Sequence, residues 1–124
     1  MLKSFHFIFI LFACQSTPQQ QIETISASQL KALQKEGITI IDIRTPSEYL
    51  DGHIPNVPNI DFRNAQFIEQ ISMIEKDQPI IIHCASGGRS KTAANQLIKI
   101  GFSKVYDYEG GFYDWKERGE LIEK

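Results

Sequence analysis

Pro79-Ile80-Ile81-Ile82-His83-Cys84-Ala85-Ser86-Gly87-Gly88-Arg89-Ser90 is the stretch that decides how this chain folds. Its apolar start reads as a short strand, and the small-residue turn after it opens an amphipathic helix from about Arg89 to Ile100. A strand ending at His83 puts Cys84 at its carboxyl end, where open parallel α/β sheets place their binding crevices. Ala85 to Gly88 carry almost no bulk. Gly87 and Gly88 tolerate positive φ, which lets successive N–H groups point into one concavity, and the helix start adds free N–H groups and the positive end of its dipole. Cysteines at helix N-termini or beside Arg can fall from a pKa of ~8.5 to roughly 3.5–7.5, so Cys84 is expected to be largely thiolate and nucleophilic at neutral pH. A cysteine used only for packing needs neither the glycines nor the arginine. His83 is read as a packed side chain and not as the base for Cys84, because neighbours on a strand face opposite sides.

Upstream, Ile22 to Ser26 reads as a first strand, and Ser28 as the N-cap of a helix running to Glu36 and stopped by Gly37. Ile38 to Ile43 is a β-branched strand ending at Asp42 and Arg44, a pairing expected to form a structural ion pair beneath the loop. Thr45 and Pro46 start a short helix closing near Gly52, and Pro55 and Pro58 mark an extended crossing segment. His53 has no second ligand at metal spacing and is expected to fix a turn. Phe67, Ile68, Ile71 and Ile74 give a helical stripe within Asn64 to Glu75. Downstream, Gly101 ends the helix after the loop, Val105 to Tyr108 forms the fifth strand, and Gly110-Gly111 leads into a last helix anchored by Trp115. Strands alternating with helices predict a parallel sheet with helices on both faces.

The Cys84-x-x-Gly87-x-Arg89-Ser90 pattern resembles the active-site loop of single-domain rhodanese-like sulfurtransferases. Asp42-Ile43-Arg44, Glu48-Tyr49, Gly52-His53-Ile54-Pro55 and Asn59-Ile60 are similar to the first half of those domains, and Gly110-Gly111 with Trp115 to their C-terminal signature. The likeness covers roughly residues 22–122, departing where Asn56-Val57 stands in place of the usual Gly-Ala. It implies a three-layer α/β/α domain with a central five-stranded parallel sheet. It further implies that Cys84 accepts a sulfane sulfur from a small sulfur-containing anion such as thiosulfate and passes it, as a persulfide, to a thiol or cyanide. The N–H groups of Ala85, Ser86, Gly87, Gly88, Arg89 and Ser90 would cradle that sulfur, with Arg89 assisting anion binding and no cofactor or metal required. The alternative is a non-catalytic rhodanese-like module that holds a protein partner at a membrane. Phosphatases of related fold use Cys-x5-Arg, whereas the spacing here is Cys-x4-Arg.

The N-terminus carries a separate message. Lys3 precedes an apolar run from Phe5 to Ala13 that is too short to span a bilayer, for which ~20 residues are needed, and that has the layout of a signal peptide. Leu11-Phe12-Ala13-Cys14 resembles the bacterial lipobox, which makes Cys14 the expected lipid attachment point after removal of residues 1–13. Residues 14–21, rich in Gln, Ser and Thr, then read as a tether and 22–124 as the domain. The expected location is the bacterial cell envelope, on the periplasm-facing side of the outer membrane, by analogy with lipoproteins bearing Gln rather than Asp after the cysteine. The expected state is a monomer. Thirteen basic residues against fifteen acidic ones, without basic clusters, argue against a nucleic-acid partner.

Overall fold

Ile80, Ile81, Ile82 and His83 are all fully buried, because the strand they form is flanked by other strands and covered above and below. The computed structural model describes residues 1–14 and 21–124. The elements run β1 (Gln21–Ile25), α1 (Ala27–Lys35), β2 (Thr39–Asp42), α2 (Pro46–Leu50), α3 (Phe67–Ile71), β3 (Ile80–His83), α4 (Gly88–Lys99), β4 (Lys104–Tyr108) and α5 (Gly111–Glu117). The strands are parallel and lie in the order β1-β4-β3-β2.

Alternation along the strands divides the core into two. Ile41, Ile80, Ile82 and Val105 pack against Phe67 and Ile71 of α3 and Ala93, Ala94 and Leu97 of α4. Ile40, Ile81 and Tyr108 pack on the other face with Leu30 of α1 and Phe112 and Trp115 of α5. Each buried aliphatic chain contributes about 1.5–3 kcal/mol, so both helical layers are needed to hold the sheet. This is the expected three-layer α/β/α architecture.

The sheet has four strands and not five. The extended segment between Pro55 and Ile60 makes one parallel bridge, Asp42 to Asn59, with Asp42 donating to the Pro58 carbonyl and Ile60 donating back to Asp42. Pro55 and Pro58 lack N–H donors, which keeps the segment from pairing further. Within it Asn56 sits at φ 61°, the one non-glycine in the left-handed region among the described residues. Asparagine enters that region more readily than bulkier residues, so Asn56 does there what a glycine would do.

Local chemistry shifts several boundaries. Ser26, not Ser28, caps α1: its hydroxyl accepts from Gln29 N–H while the Gln29 side chain accepts from Ser26 N–H. Thr45 caps α2 in the same reciprocal way with Glu48, with Pro46 in the first turn. The helix expected over 64–75 is only Phe67–Ile71. Asp61 and Asn64 side chains accept from Arg63 and Gln66 N–H groups, holding the preceding residues in turns. Phe67 and Ile71 are buried, but Ile68 is exposed. Gln21, placed in the tether by composition, starts β1 by donating to Ser103 O. The rest of that tether, residues 15–20, lies outside the described residues. Residues 1–14 have no regular secondary structure and expose their apolar side chains. Among the described residues no helix is long and apolar enough to cross a membrane.

Candidate active site

β3 delivers Cys84 to the carboxyl end of the sheet, and the chain turns there because Gly87 adopts φ 99°. A Cβ on Gly87 would lie 2.6 Å from the Glu109 carbonyl oxygen, so only glycine fits. Gly88 differs from the sequence reading. It is the first residue of α4, outside the positive-φ region, and a Cβ there meets nothing within 4 Å. One glycine makes the turn, not two.

The turn brings Gly87 N–H within 3.1 Å of Cys84 Sγ. Cys84 is buried, which by itself pushes its thiol pKa up. Opposing this are the Ser90 N–H and hydroxyl and the N–H groups of Gly87 and Ser86, and together they hold the thiol below its ordinary value. Ser90 Oγ lies 3.7 Å from Sγ and donates to the Gly87 carbonyl at 3.2 Å. The loop is therefore a set of donors aimed at one sulfur, with α4 beginning behind it.

Arg89 does not stand free in the loop. Its guanidinium forms a two-pronged ion pair with Glu48 at 2.7 and 2.9 Å, tying α4 to α2. The Arg89 pairing, aided by Thr45 and opposed by burial, draws Glu48 down to about 2. Glu48 thus serves at once as Thr45's capping partner and as Arg89's counter-charge. The capping pattern Thr45-x-x-Glu48 is visible in the sequence, but its second partner, 41 positions away, is not.

Beneath the loop, Arg44 grips Asp42 through Nε (3.0 Å) and Nη2 (2.7 Å), both side chains being buried. Arg44 also donates to the Gly52 carbonyl at 2.7 Å and lies 4.0 Å above the Phe112 ring. Phe112 and Tyr113 N–H groups in turn donate to the Cys84 and Ala85 carbonyls. That contact depends on Gly111 at φ 65°, where a Cβ would come within 2.6 Å of the Cys84 oxygen. Gly111 and Phe112 thus brace the loop from α5, a role the sequence reading did not assign.

His83 Nδ1 lies 3.0 Å from the Cys84 carbonyl and must donate to it, which leaves Nε2 unprotonated, 3.7 Å from Asp42 and without a hydrogen-bond partner. Burial keeps the ring neutral, against the pull of Asp42. His53 stacks on Tyr49 at 3.8 Å and its Nδ1 meets the Tyr49 carbonyl, so it holds the turn after α2. Cys14 is exposed, and both cysteines are free. The loop opens on a cleft of about 180 Å³ lined by Glu48, Asp51, Ala85, Tyr113 and Lys116, among others. A larger cavity of about 640 Å³ lies between α1, the β2 edge and Trp115, and includes no loop residue.

The family description "Rhodanese-like domain" matches residues 26–118. A thiosulfate sulfurtransferase GlpE from Pseudoalteromonas translucida is 42% identical over 90 residues, covering 73% of this chain and 84% of that protein. Thiosulfate sulfurtransferase 18 from Arabidopsis thaliana is 32% identical over 112 residues, covering 81% and 82%. The crystal structure of a rhodanese-related protein from Thermoplasma volcanium superposes with a TM-score of 0.71 at 31% identity, covering 82% of this chain and 97% of that one.

Proposed function

This chain belongs to the rhodanese-like domain family, and from that footing we propose that it is a thiosulfate-type sulfurtransferase in which Cys84 carries the sulfur. The observation that supports this most is the Gly87 N–H at 3.1 Å from a buried Cys84 Sγ, within a loop whose donors lower the thiol pKa despite burial. Relatives named as thiosulfate sulfurtransferases share this span of sequence.

The reaction is a double displacement. Cys84 thiolate attacks the sulfane sulfur of thiosulfate, a sulfur–sulfur bond forms at Cys84, and sulfite leaves with the electron pair of the bond that breaks. The resulting persulfide is attacked at its outer sulfur by a thiolate or cyanide, and Cys84 leaves as a thiolate. N–H groups already aimed at the cysteine hold the negative charge through both steps without reorganising. Ser86, Gly87 and Ser90 supply them, while Arg89, its charge balanced by Glu48, fixes the start of α4 behind the loop.

The proposal extends to the N-terminus. Residues 1–13 act as a signal peptide, Cys14 carries lipid, and the stretch after it tethers a monomeric domain that begins at Gln21 to the periplasmic side of the bacterial envelope. The apolar run and Leu11-Phe12-Ala13-Cys14 support this reading.

Intact mass after thiosulfate treatment tests the chemistry. One added sulfur, discharged by cyanide and absent in Cys84→Ser, is expected. An unchanged mass in the wild-type chain overturns the assignment.

A further inference from the structure

β4 alternates across the sheet, with Val105 packed among Ala93, Ala94 and Leu97 of α4 and Tyr106 and Tyr108 on the opposite side. Asp107 therefore points to the α4 side, one step nearer than Val105 to the carboxyl end of the sheet. α4 presents Ser90 at that level, one turn before Ala93 and Ala94. Ser90 is fully buried and Asp107 is 5% exposed, and Asp107 Oδ1 is buried without a hydrogen-bond partner. A buried carboxyl oxygen left unpaired is costly, and in native proteins it calls for an explanation. On its other side Ser90 Oγ accepts from the Cys84 thiol at 3.7 Å. The Ser90 hydroxyl thus neighbours both the Cys84 thiol and the Asp107 carboxyl, and the carboxyl has no part in the reaction described above.

We propose that Asp107 takes up the proton that Cys84 releases, relayed by Ser90, so that the buried site carries one negative charge and not two. This rests on Cys84 being the nucleophile. The S–H bond breaks and leaves its electron pair on Sγ; the proton bonds to Ser90 Oγ. The proton that Ser90 carried swings from the Gly87 carbonyl to the Asp107 carboxylate and forms an O–H bond there. No outside acid or base takes part. Asp107 acts through Ser90 and is a positioning residue.

The surroundings favour a proton on Asp107. Burial raises its pKa, opposed by the Ser90 hydroxyl. The charged groups that face it are Lys91 from α4 and Glu109 just after β4, of opposite sign. At its register positions β1 contributes Thr24 and β3 contributes Ile82, neither of them titratable. Toward Cys84 the charged group is Arg89, already paired with Glu48, and His83 alongside stays neutral.

The pH dependence of Cys84 alkylation by iodoacetamide tests the relay, because coupled groups titrate as a pair in two macroscopic steps. Wild type is expected to show two steps separated by a plateau. Asp107→Asn, which keeps the shape but cannot ionise, is expected to show one step about one pH unit below the upper wild-type step, or about tenfold more thiolate between them. Coupling is reciprocal, so the Asp107 carboxyl ¹³C resonance in wild type completes its titration only in the upper step. In Cys84→Ser it titrates in a single step at lower pH. This second measurement decides the matter if Asp107→Asn fails to fold. Superimposable alkylation profiles, or an Asp107 resonance unaffected by Cys84→Ser, overturn the proposal. Alkylation needs no sulfur donor, so a two-step profile with no sulfur transfer would sink the function above and leave the relay standing.

Discussion

Replacing Gly87 by alanine forces an L side chain to φ 99° and drives its Cβ to 2.6 Å from the Glu109 carbonyl oxygen. The dihedral alone costs about 1–2 kcal/mol. The clash is with backbone, which cannot swing aside as a flexible side chain can, and overpacking of this kind adds about 1–3 kcal/mol. The sum, about 2–5 kcal/mol, corresponds to a melting temperature lower by about 10–25 °C in a domain of this size. Relief comes only by moving the turn, which withdraws the Gly87 N–H from Sγ, so the alkylation midpoint of Cys84 is expected to rise as well. Gly88→Ala is the matched control. Its Cβ meets nothing within 4 Å and Gly88 belongs to α4, so alanine there is expected to be neutral or to stabilise by about 0.5–1 kcal/mol. Thermal melts and alkylation profiles of the two variants decide the question. Equal stability and equal Cys84 reactivity in both would refute the account of the loop.

Asp42→Ala leaves the Arg44 guanidinium buried without its carboxylate and is expected to cost about 3–5 kcal/mol in urea unfolding; a loss below 1 kcal/mol would remove the ion pair from the list of supports. Glu48 is drawn from 4.5 to about 2 on folding, so its contribution is complete above about pH 4.5 and disappears as pH falls toward 2. With its side chain 34% exposed, solvent screening limits that contribution to about 1 kcal/mol; Glu48→Gln should flatten this part of the stability-versus-pH curve, and an unchanged curve counts against the pairing. Cys14→Ser is expected to release the protein from membranes and block processing, since stable anchoring needs acyl chains at about 0.8 kcal/mol per buried CH₂; unchanged partitioning and mobility would refute lipid attachment.

Where short-range rules govern, neighbouring residues were enough to set the outcome. The run Ile80 to His83 had to be a buried strand, Pro46 behind Thr45 had to open a helix, and Cys84 had to stand where a strand turns into a helix, because each depends on neighbours within a few residues. Alternation and helical spacing also sorted most of the core onto two faces, which is why the layered architecture was legible. The number of strands was not, since pairing depends on how far Pro55 and Pro58 let a crossing segment approach β2, and that distance exists only in the folded chain. The site divides along the same line. The sulfur and its turn are local, but which glycine takes the positive φ is decided by the Glu109 carbonyl opposite Gly87. Arg89 reads as a free cation until Glu48 arrives from α2, and Asp107 reads as one more strand residue until β4 lies beside α4. Charges and close contacts act through space, over a few ångströms that the order of residues along the chain does not encode, so only the tertiary structure could assign these partners.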